Sequence, residues 1–176
     1  MKIVIITVAA CIVTMATFFA AATLTPNGTT ILSSDQLGER VIASLKKSSF
    51  QDYKILYPTL EELQLVMNNN SELYGDYLED AHSEFSKQYN HELIPALRNS
   101  FETLLREGNA KGIEWNTVKY LGIESASKIN TQVSSSTATI LFSSGGKEYR
   151  LRIERVPVLN GQWRISQFTS LESAKI

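Results

Sequence analysis

Glu79 and His82 stand three residues apart within Asp76-Tyr77-Leu78-Glu79-Asp80-Ala81-His82-Ser83-Glu84. On a helix that spacing sets a carboxylate and an imidazole on one face, as in bundle proteins that hold metal ions. Those sites need a second such pair and further glutamates. Here the other histidine, His91, is followed directly by Glu92 and lacks the spacing. The same residues read as the solvated acidic face of an amphipathic helix, softened by Glu84 with Lys87. No metal is therefore assigned, Glu79 and His82 being the nearest approach to a ligand pair, and no other cofactor is expected.

Nucleophilic chemistry finds no frame either. Ser83, Ser86 and Ser100 lack the glycine-flanked strand-to-helix elbow that exposes a reactive hydroxyl. Gly145-Gly146 lies between strand patterns rather than ahead of a helix, so it is no phosphate loop. No catalytic residue is assigned. One enzymatic alternative stays open, with His82 or His91 as general base beside a carboxylate.

Residues that could bind rather than react lie in the second half. Arg150 and Arg152 share one strand face, with Arg164 on the next strand. Arginines so placed suit a carboxylate, sulfate or phosphate ligand. Interleaved Glu148 and Glu154 equally make them a solvated, ion-paired face. Trp115, Tyr120, Tyr149, Trp163 and Phe168 either line a pocket between sheet and helices or build the core. The ligand-binding candidates are thus Trp115, Tyr120, Tyr149, Arg150, Arg152, Trp163 and Arg164.

Helices must come first along the chain. Ser33 with Gln36 forms a capping box, and Leu37, Val41 and Leu45 mark one face after it. Phe50, Tyr53, Ile55 and Leu56 cluster as a further turn of helix. Thr59 with Glu62 gives a second capping box, ahead of an inner face of Leu60, Leu63, Val66 and Met67. A helix entered at Asn68–Ser71 carries the stripe Leu73, Tyr77, Ala81, Phe85, Tyr89. The next carries Leu93, Leu97, Phe101, Leu104 and Leu105, with Pro95 in its first turn and Gly108 as its left-handed cap.

The period then changes from four to two. Val118 and Tyr120, joined by Trp115, suggest a strand, and Ser125 to Ser136 reads as a polar loop. Ala138, Ile140 and Phe142 alternate, as do Tyr149, Leu151 and Ile153 after the turn at Ser143–Gly146. Asn160-Gly161 is a strong hairpin signal. It predicts Val158 opposite Trp163 and Val156 opposite Ile165. Buried positions shift from odd numbers to even between Ile153 and Val156, which demands an extra residue near Arg155, beside Pro157. The expectation is an α+β domain over residues 35–172, with N-terminal helices on one face of a curved C-terminal antiparallel sheet of about four strands.

From Ile3 to Leu24 no side chain carries a charge, and Lys2 precedes them. Three readings fit residues 1–24: a signal peptide cleaved after Ala20-Ala21-Ala22, a retained apolar helix anchoring the chain in a membrane, or a lipid-bearing Cys11. Val8-Ala9-Ala10-Cys11 resembles the lipobox of bacterial lipoproteins, although apolar residues follow the cysteine. Each reading places the domain outside the cytoplasm, at the periplasm or cell surface, beyond a polar spacer at residues 25–34. A formal net charge of −1 lacks the basic excess of nucleic-acid binders. Asn27-Gly28-Thr29 and Asn69-Asn70-Ser71 match the glycosylation pattern, which matters only in a host that uses it.

The runs KGIEWNTVKY and GKEYRLRIERVPVLNGQWRI resemble uncharacterised exported bacterial proteins, many of them lipoproteins. The closing hairpin is similar to that of the nuclear transport factor 2-like and cystatin-like superfamilies. Those superfamilies hold enzymes, binding modules and structural domains, so the resemblance implies a fold and no activity. The expected function is a non-enzymatic binding or interaction module of the cell envelope, its partner a protein or small molecule. The alternatives are a small enzyme or ligand-binding protein using a sheet–helix pocket, and a structural accessory subunit of an envelope complex.

Overall fold

Ser33 opens the first helix: its hydroxyl accepts a hydrogen bond from the Gln36 N–H at 3.2 Å. The computed structural model describes residues 33–130, 133–159, 162–166 and 169–173. Residues 1–24 with Cys11, the spacer up to residue 32, Asn160-Gly161 and Phe168 lie outside these. Among the described residues, no helix is long and apolar enough to cross a membrane.

Among the described residues five α-helices come first: α1 (Ser34–Lys46), α2 (Phe50–Lys54), α3 (Leu60–Asn69), α4 (Leu78–Gln88) and α5 (Ile94–Ala110). Leu37, Val41 and Leu45 of α1 are fully buried, as their spacing requires. In α2, Phe50 and Tyr53 point inward while neighbouring Ile55 faces solvent. The capping box of α3 is complete: the Thr59 N–H donates to Glu62 Oε2 at 2.8 Å, and the Glu62 N–H to Thr59 Oγ1 at 3.1 Å. A π turn, Tyr89–Leu93, runs α4 almost directly into α5, whose first turn accommodates Pro95.

Two helical expectations need correction. The stripe from Leu73 to Tyr89 does not lie on one helix. Gly75 adopts φ +54°, so residues Ser71–Leu73 and Gly75–Tyr77 form separate 3-10 turns before α4 starts at Leu78. The break puts Leu73 and Tyr77 in solvent, while Phe85 and Tyr89 stay buried. Gly108 is not the left-handed cap of α5 either. That role falls to Gly112 at φ +78°, with Ile113 N–H bonded to the Gly108 carbonyl and Gly112 N–H to that of Asn109.

The second half is antiparallel. Strands β1 (Lys119–Asn130), β2 (Val133–Ser144), β3 (Lys147–Val156) and β6 (Thr169–Ser173) form one sheet in the order β1-β2-β3-β6. Strands β4 (Val158–Leu159) and β5 (Gln162–Trp163) form a separate ladder. Gly145 and Gly146, both with positive φ, make the turn between β2 and β3. Ala138, Ile140, Phe142, Tyr149, Leu151 and Ile153 share a core with Leu37, Val41, Leu97, Phe101 and Leu171. The opposite face of β3 is exposed, so the helices cover one side of an α+β sheet.

The extra residue falls where the parity change puts it. Ser136 pairs with Val156 but Ala138 pairs with Ile153, which leaves Glu154 and Arg155 against a single residue of β2. Ile153 and Val156 are consequently both buried. Val158 pairs with Trp163. Backbone bonds from Arg164 N–H to the Pro157 carbonyl and from Ser166 N–H to that of Arg155 continue this register, with Val156 opposite Ile165.

Three strand expectations are corrected as well. Within the expected loop Ser125–Ser136 the described residues are strand: β1 and β2 pair from Ser125↔Ala138 to Asn130↔Val133. A backbone ladder already aligned by Ile123↔Ile140 can continue through residues that carry no apolar pattern. Trp115 belongs to a 3-10 turn, Trp115–Thr117, rather than to β1. Strand β5, expected to extend the main sheet, pairs among the described residues only with β4, and Val158 is 43% exposed. The bulge turns the chain off the sheet and Pro157 offers no N–H, so β6 takes the edge beside β3 instead.

Candidate functional site

The candidate residues fall into separate settings. Arg164 is buried against Glu62, with Nη2 to Oε1 at 2.7 Å and Nε to the same oxygen at 3.3 Å. Its Nη1 donates to the Ile55 carbonyl at 3.1 Å. Glu62 is thereby used twice, one oxygen capping α3 and the other meeting the guanidinium. The pair ties the capping box to the end of the β4–β5 hairpin. Both side chains are 8% exposed, so this arginine is enclosed rather than offered to a ligand.

Arg150 and Arg152 lie on the exposed face of β3, as their alternation predicts. Arg152 Nε reaches Glu154 Oε1 at 3.0 Å, and its Nη1 comes within 4.0 Å of Glu172 Oε1. Glu172 also stands opposite Arg150 in the β3–β6 register. The exposed face therefore carries interleaved charges of both signs, and buried Arg164 does not join it.

Trp115 and Tyr149 flank Phe142 in a stack, with centroid separations of 5.8 Å and 5.5 Å. The indole N–H donates to the Leu105 carbonyl at 3.0 Å. Its ring lies so close over Gly108 that a Cβ there would stand 2.6 Å from Cε2. Absence of a side chain, not backbone freedom, is what Gly108 contributes. Trp163 is half-buried and packs on the edge of the same core.

Tyr120 crosses Gly38 of α1 and its hydroxyl donates to Asp35 Oδ1 at 2.6 Å. Loss of water from the ring, then the Asp35 bond and the charges of Asp35 and Glu39, push this phenol far above its usual range. A second phenol group is deeper. Tyr53 shares hydrogen bonds with Tyr57 at 3.3 Å and with Thr169 at 3.0 Å, tying α2 to β6. Burial raises both phenols, and Tyr57 is raised further by Tyr53. No spacing in the sequence points to this set, because α2 and β6 lie at opposite ends of the domain.

Glu79 is exposed on α4, and His82 is half-buried there with Nε2 enclosed and without a hydrogen-bond partner among the described residues. No carboxylate is paired with His82 or with exposed His91 among those residues. Nor does any group of three or more His, Cys, Asp or Glu converge there to hold a metal ion. The Glu-x-x-His pair thus stands alone.

Sequence reasoning missed the surface of the α3–α4 hairpin. Leu73 is 77% and Tyr77 74% exposed, the most exposed of the large apolar residues described. They ride on the two 3-10 turns at its tip. Beneath them a small core of Met67, Phe85 and Tyr89, joined by Tyr74 and Leu78, fixes the hairpin. A hydrogen bond from Gln64 Nε2 to Ser86 Oγ at 3.0 Å ties its two arms. The available signal was Gly75, which interrupts the stripe. Compared with family models, with curated proteins and with solved structures, the chain matches none.

Proposed function

We propose that this protein is a non-enzymatic interaction module of the cell envelope, working outside the cytoplasm. The observation that carries this reading is the rigidly supported pair Leu73 and Tyr77, large apolar side chains held in solvent. Isolated exposed apolar side chains are ordinary, but Leu73 and Tyr77 on consecutive 3-10 turns at the hairpin tip suit a protein contact. The internal chemistry favours the same reading. Arg164 engages Glu62, Tyr53 engages Tyr57, and Tyr120 engages Asp35, and the acid–base groups so engaged are tied up in architecture. The uncharged run Ile3–Leu24 supports export and, where retained, attachment to a membrane.

A photocrosslinking residue placed at position 77 in the native host tests the reading. It is expected to join the chain to a discrete protein, with Leu73→Ser abolishing the product and the same probe at position 150 giving none. Equal products from both positions would overturn the assignment of the tip. Turnover of a small-molecule substrate by the purified chain, lost in His82→Ala, would replace the module with an enzyme.

A further inference from the structure

The charge around Leu73 and Tyr77 narrows what could cover them. Between Lys54 and Lys87 the chain has no lysine or arginine. Over that span Glu61, Glu72, Asp76, Glu79, Asp80 and Glu84 are all exposed. The remaining carboxylate, Glu62, is the one that Arg164 neutralises. No ion pair reaches the six exposed carboxylates among the described residues. Burial raises the phenol of Tyr89, beneath the same arms, and the charges of Glu61 and Glu62 raise it further.

On the exposed face of β3 acids alternate with bases, as Arg152 does with Glu154 and Glu172. From Leu60 to Ser86 no lysine or arginine is interleaved. The tip is also sterically open, since a Cβ built on Gly75 would meet nothing within 4 Å. Two apolar anchors thus stand inside a field of one sign, on a fixed support. An anionic lipid surface or nucleic acid would be repelled by that field. A partner with complementary charge and its own apolar face would be attracted and would cover both anchors.

We propose that the tip of the α3–α4 hairpin docks a cationic amphipathic protein segment, whose apolar face covers Leu73 and Tyr77 while its lysines or arginines meet the flanking carboxylates. The proposal rests on the interaction reading above and adds the chemistry of the partner. Charge speeds and orients the encounter, and the two side chains supply the anchoring contact. Binding therefore weakens as salt screens the carboxylates.

The test uses the full chain and three labelled synthetic peptides of equal length, followed by fluorescence anisotropy. One is a lysine–leucine amphipathic helix. The second keeps its lysines but carries glutamine for leucine, and the third carries glutamate for lysine. The expected result is saturable binding of the first alone, weakening as salt approaches ~1 M. Leu73→Ser with Tyr77→Ser should weaken it about tenfold, the scale of losing central anchors. Glu79→Gln with Asp80→Asn should weaken it and flatten its salt dependence. All four positions are exposed, so circular dichroism should be unchanged.

Equal binding of the lysine–glutamine peptide would overturn the proposal, since charge alone would suffice. So would absence of binding, or self-association of the chain that Tyr77→Ser abolishes, which would make a second copy the occupant. A crosslink from position 77 to an acidic segment would sink the cationic partner and leave the interaction reading standing. Loss of that crosslink as well would remove both.

Discussion

Replacing Arg164 by methionine keeps most of its apolar stem and deletes the guanidinium. Three contacts then disappear: two donors to Glu62 Oε1, at 2.7 Å and 3.3 Å, and one to the Ile55 carbonyl at 3.1 Å. Glu62 keeps the Thr59 N–H on its other oxygen, but its charge is left in a site where only 8% of the side chain meets water. Stranding one member of a buried pair costs about 3–5 kcal/mol. An ordinary domain has about 5–15 kcal/mol in total, so the variant should be severely weakened. Urea unfolding, followed by the fluorescence of Trp115 and Trp163, measures the loss. Adding Glu62→Gln removes the stranded charge and leaves a neutral group for the cap. The double variant should therefore recover about 2 kcal/mol or more relative to additivity. Lys47 and Asp52 provide an internal contrast, since their pair at 3.3 Å is 68% and 44% exposed. Lys47→Met should cost under about 1 kcal/mol and lose that effect in high salt. An Arg164→Met cost below about 1 kcal/mol, or strict additivity in the double variant, would refute the claim that the pair is dry and coupled.

The buried phenols give a pH prediction. Tyr53 and Tyr57 hold their protons more tightly when folded than the value of 10.0 they have when free. Below about pH 10 both states are protonated and the stability is intact; above it the unfolded chain loses protons first, so stability falls as pH rises. Tyr57→Phe should make that decline shallower in unfolding curves between about pH 9 and 11, while itself costing about 1 kcal/mol near neutral pH for the lost Tyr53 bond. Gly108→Ala should destabilise the chain by about 1–3 kcal/mol by thermal unfolding, although alanine favours helix. The added methyl must displace an indole already fixed by Leu105 and Phe142. Leu151→Ala, in the fully buried centre of β3, should cost about 2–5 kcal/mol in urea.

Much of the fold was legible because it depends on nearest neighbours along the chain. The α1 stripe needs only a four-residue period, and the α3 capping box only Thr59 and Glu62 three apart. The bulge near Arg155 followed from parity: Ile153 and Val156 cannot share a face unless one residue is skipped. Where reading stopped, a distant part of the chain decides. Ser125–Asn130 pairs because its partner strand is already aligned. Thr169–Ser173 gains its place only once β3 has an open edge. Counting by fours carried the α4 stripe back to Leu73, but Gly75 at φ +54° breaks the helix and reverses which way Leu73 and Tyr77 face.

The candidate site divides along the same line, and for a reason deeper than spacing. Arg150, Arg152 and Arg164 are identical in type and lie on neighbouring segments, yet Arg164 is enclosed while Arg152 is 45% exposed. What separates them is Glu62 on α3, placed by a local cap and brought to the hairpin only by folding. A carboxylate committed to two structural duties cannot also serve in a reaction without loosening both α3 and the hairpin. The hydroxyls of Tyr53, Tyr57 and Tyr120 are likewise held by Thr169, by one another and by Asp35. On the α3–α4 hairpin the relation is reversed: its exposed acids from Glu61 to Asp80 have no lysine or arginine neighbour along the chain, and Leu73 and Tyr77 have no cover. In this domain, groups that would ordinarily be suspected of chemistry stabilise the interior. At the hairpin tip Leu73 and Tyr77 stand uncovered beside exposed Glu72, Asp76, Glu79 and Asp80, the setting that the proposed cationic partner would meet.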